Sequence, residues 1–368
     1  MTTPAAVTDA IDALLAPLLG ALERVTWVQR HLYPPLAPRL AQELAPCGEA
    51  LGAPLRELQT MTWPENLTFM RDRLVDVGRQ TVELIDAFVA AAGSPGDVIG
   101  LFRALRRFAP VQEALYPLVP AFDPVSRWFL DPPHRDDRAL VEALRAGALR
   151  EDDVRVGVLH ADNDRGGRGG FSLYVPEAWD GRTPMALVVA LHGGSGHGRD
   201  FLWAWLREAR ARGALLAAPT SAGRTWSIMG QDVDAEPLGA MVESIAGRYP
   251  VDRSRVLLTG MSDGATYAFL CGLRDDAPFT HLAPTCGVLH PALLVSGGLE
   301  RARGRPIYLV HGALDWMFPV QAAHMAREAL TTVGARLTYR EIADLSHTYP
   351  RDEHARILDW LLAATPAG

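Results

Sequence analysis

The chain has 368 residues, 48% hydrophobic and 21% charged, with a net charge of −7, a globular composition long enough for one large or two moderate domains. The acidic balance, with no basic stripe carrying interleaved aromatics, excludes nucleic acid as a partner, because phosphate binding needs clustered cations. All 36 basic residues are arginine, so a Schiff-base lysine, a Ser-Lys dyad and a phosphate-loop lysine are excluded as well.

Cys47, Cys271 and Cys286 are widely spaced and odd in number, which reads as reduced structural thiols and not as a disulfide framework or zinc site. Asp9 and Asp12 interrupt the apolar residues near the N-terminus, and no basic segment precedes them. Neither a signal peptide nor a membrane span is expected, and the default location is the cytoplasm.

From about Val7 to Leu149 the pattern is helical throughout. Ile11, Leu14, Leu15, Leu18, Leu19 and Leu22 recur at three and four, as do Leu74, Val77, Val82, Leu84, Ile85 and Phe88, the spacing of one helix face. Prolines such as Pro34, Pro54, Pro95, Pro110 and Pro120 are expected to divide this region into short helices. A polar, proline-bearing segment, Asp131 to Asp137, precedes one last helix, Ala139 to Leu149. Residues 1–150 are therefore read as an all-helical N-terminal domain, a lid, a packing element or a site of homo-oligomerisation, and residues 151–368 as the catalytic domain.

At Asp153 the period changes to two. Val154, Val156 and Val158, then Phe171, Leu173 and Val175, make a hairpin around a Gly- and Asp-rich loop. Met185 to Leu191 is a continuous apolar run, as expected of a buried parallel strand. Strands and helices alternate from there. Helices are expected at Asp200–Arg212, Pro237–Arg248, Ala265–Leu273, Val320–Val333 and Glu353–Leu362. Strands are expected at Ala214–Ala218, Arg255–Thr259, near Cys286 to Leu289, at Ile307–His311 and at Arg336–Ile342. The fold class is α/β, a mostly parallel sheet with helices on both faces, and ligands belong at the carboxyl ends of its strands.

Four motifs fall at such ends: Leu191-His192-Gly193-Gly194-Ser195-Gly196, Gly260-Met261-Ser262-Asp263-Gly264, His311-Gly312-Ala313-Leu314-Asp315 and Asp344-Leu345-Ser346-His347. A serine between two glycines on a tight strand-to-helix turn is thrust out of the sheet with its hydroxyl exposed, and the next amide opens a helix. The chain order is Ser, Asp, His. With these residues the stretch from about Val154 to Leu362 resembles an α/β-hydrolase, most similar to the phospholipase/carboxylesterase and polyhydroxybutyrate-depolymerase-like esterase branches. The resemblance implies a serine esterase and does not reach the first 150 residues.

On that reading His347 takes the proton of Ser262 as it attacks an acyl carbon, and Asp315 fixes the imidazole tautomer. The amides of Gly194 and Asp263 receive the oxyanion, with Gly193 beside them. Asp344 is the rival acid, but it stands only three residues before the histidine. His311 is expected as a turn residue beside the acid, His192 as a brace of the oxyanion loop and His354 in the last helix. The Asp263 carboxylate is expected to point outward, where it favours the helix dipole. Trp226, Met229, Trp316, Met317 and Phe318 stand in two loops at the site face and read as an apolar substrate pocket. No HExxH occurs among the eleven histidines, so neither metal nor cofactor is expected. The expected substrates are neutral esters with short or medium acyl or aromatic groups. The alternatives are a thioesterase, lactonase, polyester-oligomer hydrolase or peptidase using the same residues, or a non-catalytic scaffold that binds a hydrophobic ligand or a protein partner.

Overall fold

The computed structural model describes residues 4–150 and 155–363. Asp153 and Val154, where the sequence pattern changes, lie outside the described residues, as does the expected boundary after residue 150. The chain divides into two compact units, Met1–Phe129 and Leu130–Gly368.

The first unit is helical: α1 (Pro4–Arg30), α2 (Ala37–Thr60), α3 (Thr68–Ala92), α4 (Val98–Arg106), α5 (Phe108–Leu115) and α6 (Asp123–Trp128). Its core is the stripe of Leu14, Leu18 and Leu22 on α1, Leu44, Leu51 and Leu58 on α2, and Leu74, Val77, Leu84 and Phe88 on α3. A Cβ on Gly78 would stand 2.4 Å from Leu55 Cδ2, so α2 and α3 meet closely there and a larger residue would have to displace the Leu55 side chain. The first three helices are long, and the expectation of short helices is corrected. α1 runs through Pro17, and α2 runs through Pro46 and Pro54. Each proline removes one ladder hydrogen bond, and the continuous buried faces on either side hold the helix together across it. By length and composition α1 could cross a membrane. Asp9 and Asp12 lie on its exposed side, opposite the buried leucines.

The second unit contains α7 (Arg138–Ala148), assigned on the sequence to the helical region before it. Val141 and Leu144 of α7 are buried in a cluster with Leu130 and Ala211, within this unit. Then follow β1 (Gly157–Ala161), β2 (Phe171–Val175), β3 (Met185–Leu191), α8 (Gly198–Arg212), β4 (Leu215–Pro219), α9 (Ala235–Ala246) and β5 (Val251–Met261). The remainder is α10 (Asp263–Gly272), β6 (His281–Thr285), α11 (Pro291–Val295), β7 (Pro306–Gly312), α12 (Val320–Thr332), β8 (Arg336–Ile342) and α13 (Arg351–Ala363).

The eight strands form one sheet in the order β1-β2-β4-β3-β5-β6-β7-β8. β2 pairs antiparallel with both its neighbours and the remaining pairs are parallel. This is the α/β-hydrolase arrangement that the motifs imply. Leu187, Val189, Leu191, Leu215, Ala217 and Leu258 share a core with α9, α10 and α12. On the other face α8 lies against β2, β3 and β4, and α13 packs on α8 and β5. All seven residues of β3 are buried, which explains its unbroken apolar run.

One strand is displaced from its expected place. β6 ends at Thr285, just before the run Cys286 to Leu289. Pro284 hides it, because a proline argues against a central strand. It is accommodated because β6 pairs with β7 only at Leu282 with Ile307 and Thr285 with Val310.

Candidate active site

The turn after β5 is strained. Ser262 has φ 58° and ψ −121°, a positive-φ conformation that costs a non-glycine residue on the order of 1–3 kcal/mol and persists only where its surroundings impose it. They do so here. The Ser262 amide donates to Thr285 O at 3.1 Å, and its carbonyl accepts from Ala265 and Thr266, both at 3.0 Å, which starts α10. Both flanking glycines are forced by contact with the main chain. A Cβ on Gly260 would meet Gly264 C and O at 2.6 Å, and one on Gly264 would meet Leu191 O at 2.4 Å and His192 O at 2.5 Å. Gly264→Ala must push α10 off the end of β3. It is expected to destabilise the unit by about 3 kcal/mol, read as a lowered urea midpoint; a midpoint equal to wild type would contradict this packing.

Three side chains from three loops converge at the rim. The Ser262 hydroxyl donates to His347 Nε2 at 3.0 Å, and His347 Nδ1 donates to Asp315 Oδ2 at 2.9 Å. The tautomer follows from the acid, since a carboxylate only accepts. All three are buried. The other carboxylate oxygen, Oδ1, accepts from the amides of Met317 at 3.0 Å and Phe318 at 2.8 Å. Burial pushes the Asp315 carboxyl up, but the hydrogen bond and charge of His347, the Phe318 amide and His311 outweigh it and hold the group below the usual carboxylate range. The loops carrying the acid and the histidine are pressed together, for a Cβ on Gly312 would meet Leu345 O at 2.2 Å.

The other histidines fall where the sequence reading put them. His311 is buried, donates from Nε2 to Phe318 O at 2.8 Å, and stands 3.5 Å from Asp315 Oδ2, behind the acid. His354 stacks on Trp205 at 3.8 Å within α13. His192 donates from Nδ1 to Gly193 O at 2.7 Å and accepts the Ser221 amide on Nε2 at 3.1 Å. Asp344 is exposed.

The loop after β3 is pinned from beneath by the loop after β4. Ser195 N donates to Arg224 O at 2.8 Å, and Trp226 Nε1 donates to His192 O at 2.7 Å. A Cβ on Gly193 would lie 3.5 Å from Ser262 Cβ, so this loop runs alongside the serine. The amides of Gly194 and Asp263 donate to no acceptor among the described residues. Asp263 departs from the outward expectation. Its Oδ2 accepts from Thr225 Oγ1 at 2.6 Å and would stand 2.6 Å from a Cβ on Gly194. The carboxylate thus folds back over the glycine loop, half-buried. Nothing in the sequence marked Thr225 for this part.

The five apolar residues divide. Phe318 is half-buried, with its ring edge-on to the His347 imidazole at 5.3 Å. Met229, Trp316 and Met317 are exposed on their loops. Trp226 corrects the pocket assignment. It is 2% exposed, belongs to the core, and lies between His192 at 4.8 Å and Tyr267 at 5.6 Å. Its indole supports the glycine loop from below and forms no pocket wall.

Residues 235–364 match the phospholipase/carboxylesterase family. A comparison with curated proteins returned no match. Solved structures similar to the chain include a thermostable esterase, at 21% identity over 56% of this chain with a TM-score of 0.45. The chain spans 62% of that esterase's length. Esterase PE8 matches at 22% identity over 53% of this chain and 99% of its own, with a TM-score of 0.43. A fluorophosphonate-binding serine hydrolase of Staphylococcus aureus matches at 13% identity over 56% and 98%, with a TM-score of 0.46.

Proposed function

We propose that this α/β-hydrolase chain, related over residues 235–364 to the phospholipase/carboxylesterase family, is a serine carboxylesterase acting on neutral esters through an acyl-enzyme. The observation that carries the reading is the buried hydrogen-bonded line Ser262–His347–Asp315, which starts from a backbone-strained serine. A serine hydroxyl is a weak nucleophile unless a base removes its proton during attack, and His347 Nε2 is placed to accept that proton. Attack on the ester carbon forms a tetrahedral intermediate. The imidazolium then protonates the departing alcohol, leaving an acyl-Ser262. Water, losing a proton to His347, attacks that acyl group, and Ser262 recovers its proton as the acid leaves. The free amides of Gly194 and Asp263 are the oxyanion donors in this scheme, each contributing about 3 kcal/mol to transition-state stabilisation.

Asp263 bears on the substrate. A carboxylate folded over the glycine loop repels an anionic acyl group, and the exposed Met229, Trp316 and Met317 offer apolar contact. Both features favour uncharged esters with a short or medium acyl or aromatic part.

A fluorophosphonate probe tests the nucleophile. Wild type is expected to label, and Ser262→Ala to lose both labelling and turnover of p-nitrophenyl esters, by about a millionfold in kcat. A folded wild type that neither labels nor hydrolyses any ester of a C2 to C12 series would instead make the chain a ligand- or protein-binding scaffold.

A further inference from the structure

A concavity lies at the ends of the strands opposite Ser262. It holds a volume of about 780 Å³ and opens where β6, β7 and β8 begin, with His281, Arg305 and Arg336 in its lining. β7 runs seven residues from this end to the acid loop, about 20 Å, so a molecule bound here does not reach Ser262.

The charge in this cavity is one-sided. Arg305 Nη2 donates to the carbonyls of Gly272 at 2.7 Å and Phe279 at 2.8 Å, and its buried Nε has no partner. Burial alone draws this guanidinium below its usual range. Arg336 donates from Nε to Gly304 O at 2.9 Å. Neither arginine pairs with a carboxylate among the described residues. The nearby Asp252 is engaged by the Ser254 amide at 2.9 Å, the Ser254 hydroxyl at 2.6 Å and Arg255 at 3.4 Å. His281 is buried, hydrogen-bonded at 2.8 Å to Thr280 Oγ1, and pushed down to about 4 by burial and by Arg336, Arg305 and Arg255. It stays neutral at physiological pH and leaves the positive charge to the arginines. The other wall is apolar. The Trp360 ring stands edge-on to His281 at 5.1 Å, with Leu337 alongside.

Two guanidinium groups that pair with no carboxylate among the described residues, beside an aromatic wall, describe a site for an amphipathic anion. We infer that this cavity binds an organic carboxylate, with the carboxylate on Arg305 and Arg336 and an aromatic or aliphatic body against Trp360. The inference does not depend on the chemistry proposed for Ser262.

Calorimetric titration of the full chain with benzoate tests it. Saturable binding is expected in wild type and in Ser262→Ala alike. It is expected to weaken about tenfold or more in Arg336→Gln, to vanish in Arg336→Glu and to weaken with added salt. Arg336 is exposed and its replacement disturbs little packing, so an unchanged melting curve accompanies the loss. Benzamide, which has the same ring without the charge, is expected not to bind. Absence of saturable benzoate binding in wild type overturns the site, as does equal affinity in wild type and Arg336→Gln. Loss of binding in Ser262→Ala assigns the benzoate to the catalytic groove and overturns it too. Inorganic phosphate binding as tightly as benzoate overturns the part given to the apolar wall.

Discussion

Asp315→Asn is expected to lower kcat by about ten-thousandfold while leaving the chain folded, a barrier increase of about 5.5 kcal/mol. The size follows from how the acid is held. Asp315 Oδ1 accepts two main-chain amides, from Met317 and Phe318, and Oδ2 accepts His347 Nδ1. An asparagine can satisfy both amides only by turning its oxygen to them, which points its NH2 at His347. The imidazole must then accept on Nδ1 and carry its proton on Nε2, facing Ser262, where it can no longer act as the base. Asp315→Ala removes the tautomer constraint but also strips the two amides of their acceptor, so it is expected to be less stable than the asparagine variant. Steady-state turnover of a p-nitrophenyl ester, together with the rate of fluorophosphonate labelling, checks both variants. A folded Asp315→Asn within tenfold of wild type would remove Asp315 from the mechanism.

The sequence carried the site further than it carried the helices. In a parallel sheet every strand delivers its following loop to the same edge, so once the strands before Ser262, Asp315 and His347 are recognised, their convergence is a consequence of topology. The two glycines around Ser262 were legible for a steric reason. Main-chain carbonyls occupy the space a Cβ would need, and only glycine answers that. What could not be read depends on contacts between distant segments. Trp226 looked like a pocket residue because composition says nothing about which loop it supports, and Thr225 was silent because a lone hydroxyl finds its carboxylate only in three dimensions. β6 was shifted because Pro284 erased its strand pattern. α2 was expected to break at Pro54 because local propensity was weighed without the buried face that carries the helix through it.

Glu208→Gln is expected to stabilise the chain at pH 8 by up to about 3 kcal/mol, with the advantage fading to nothing below about pH 4.5. Glu208 lies on α8, is buried, and its Oε2 has no hydrogen-bond partner among the described residues. Burial pushes its carboxyl up to about 7, against the pull of Arg351 and Arg207. A carboxyl raised on folding favours the native state only while it is protonated in both states. That contribution is complete below the unfolded value and is lost as the pH rises toward 7. Two histidines act in the opposite sense. Burial first, and Arg351 second, hold His354 down to about 3, and His281 lies at about 4. Both are neutral in the fold, so the stability they contribute is present above about pH 6.5 and is lost as the pH falls toward 4 and 3. From pH 7 to 4.5 the protonation of Glu208 offsets roughly one of these histidines, whereas the glutamine variant has no such offset. Wild type should therefore lose stability more gradually down to pH 4.5 than just below it, whereas Glu208→Gln should begin higher and decline about twice as fast between pH 6.5 and 4.5. Urea midpoints at pH 4.5, 6 and 8 distinguish the two curves. Parallel curves would mean that Glu208 is ionised in the folded state at neutral pH, with its charge balanced by Arg207 and Arg351.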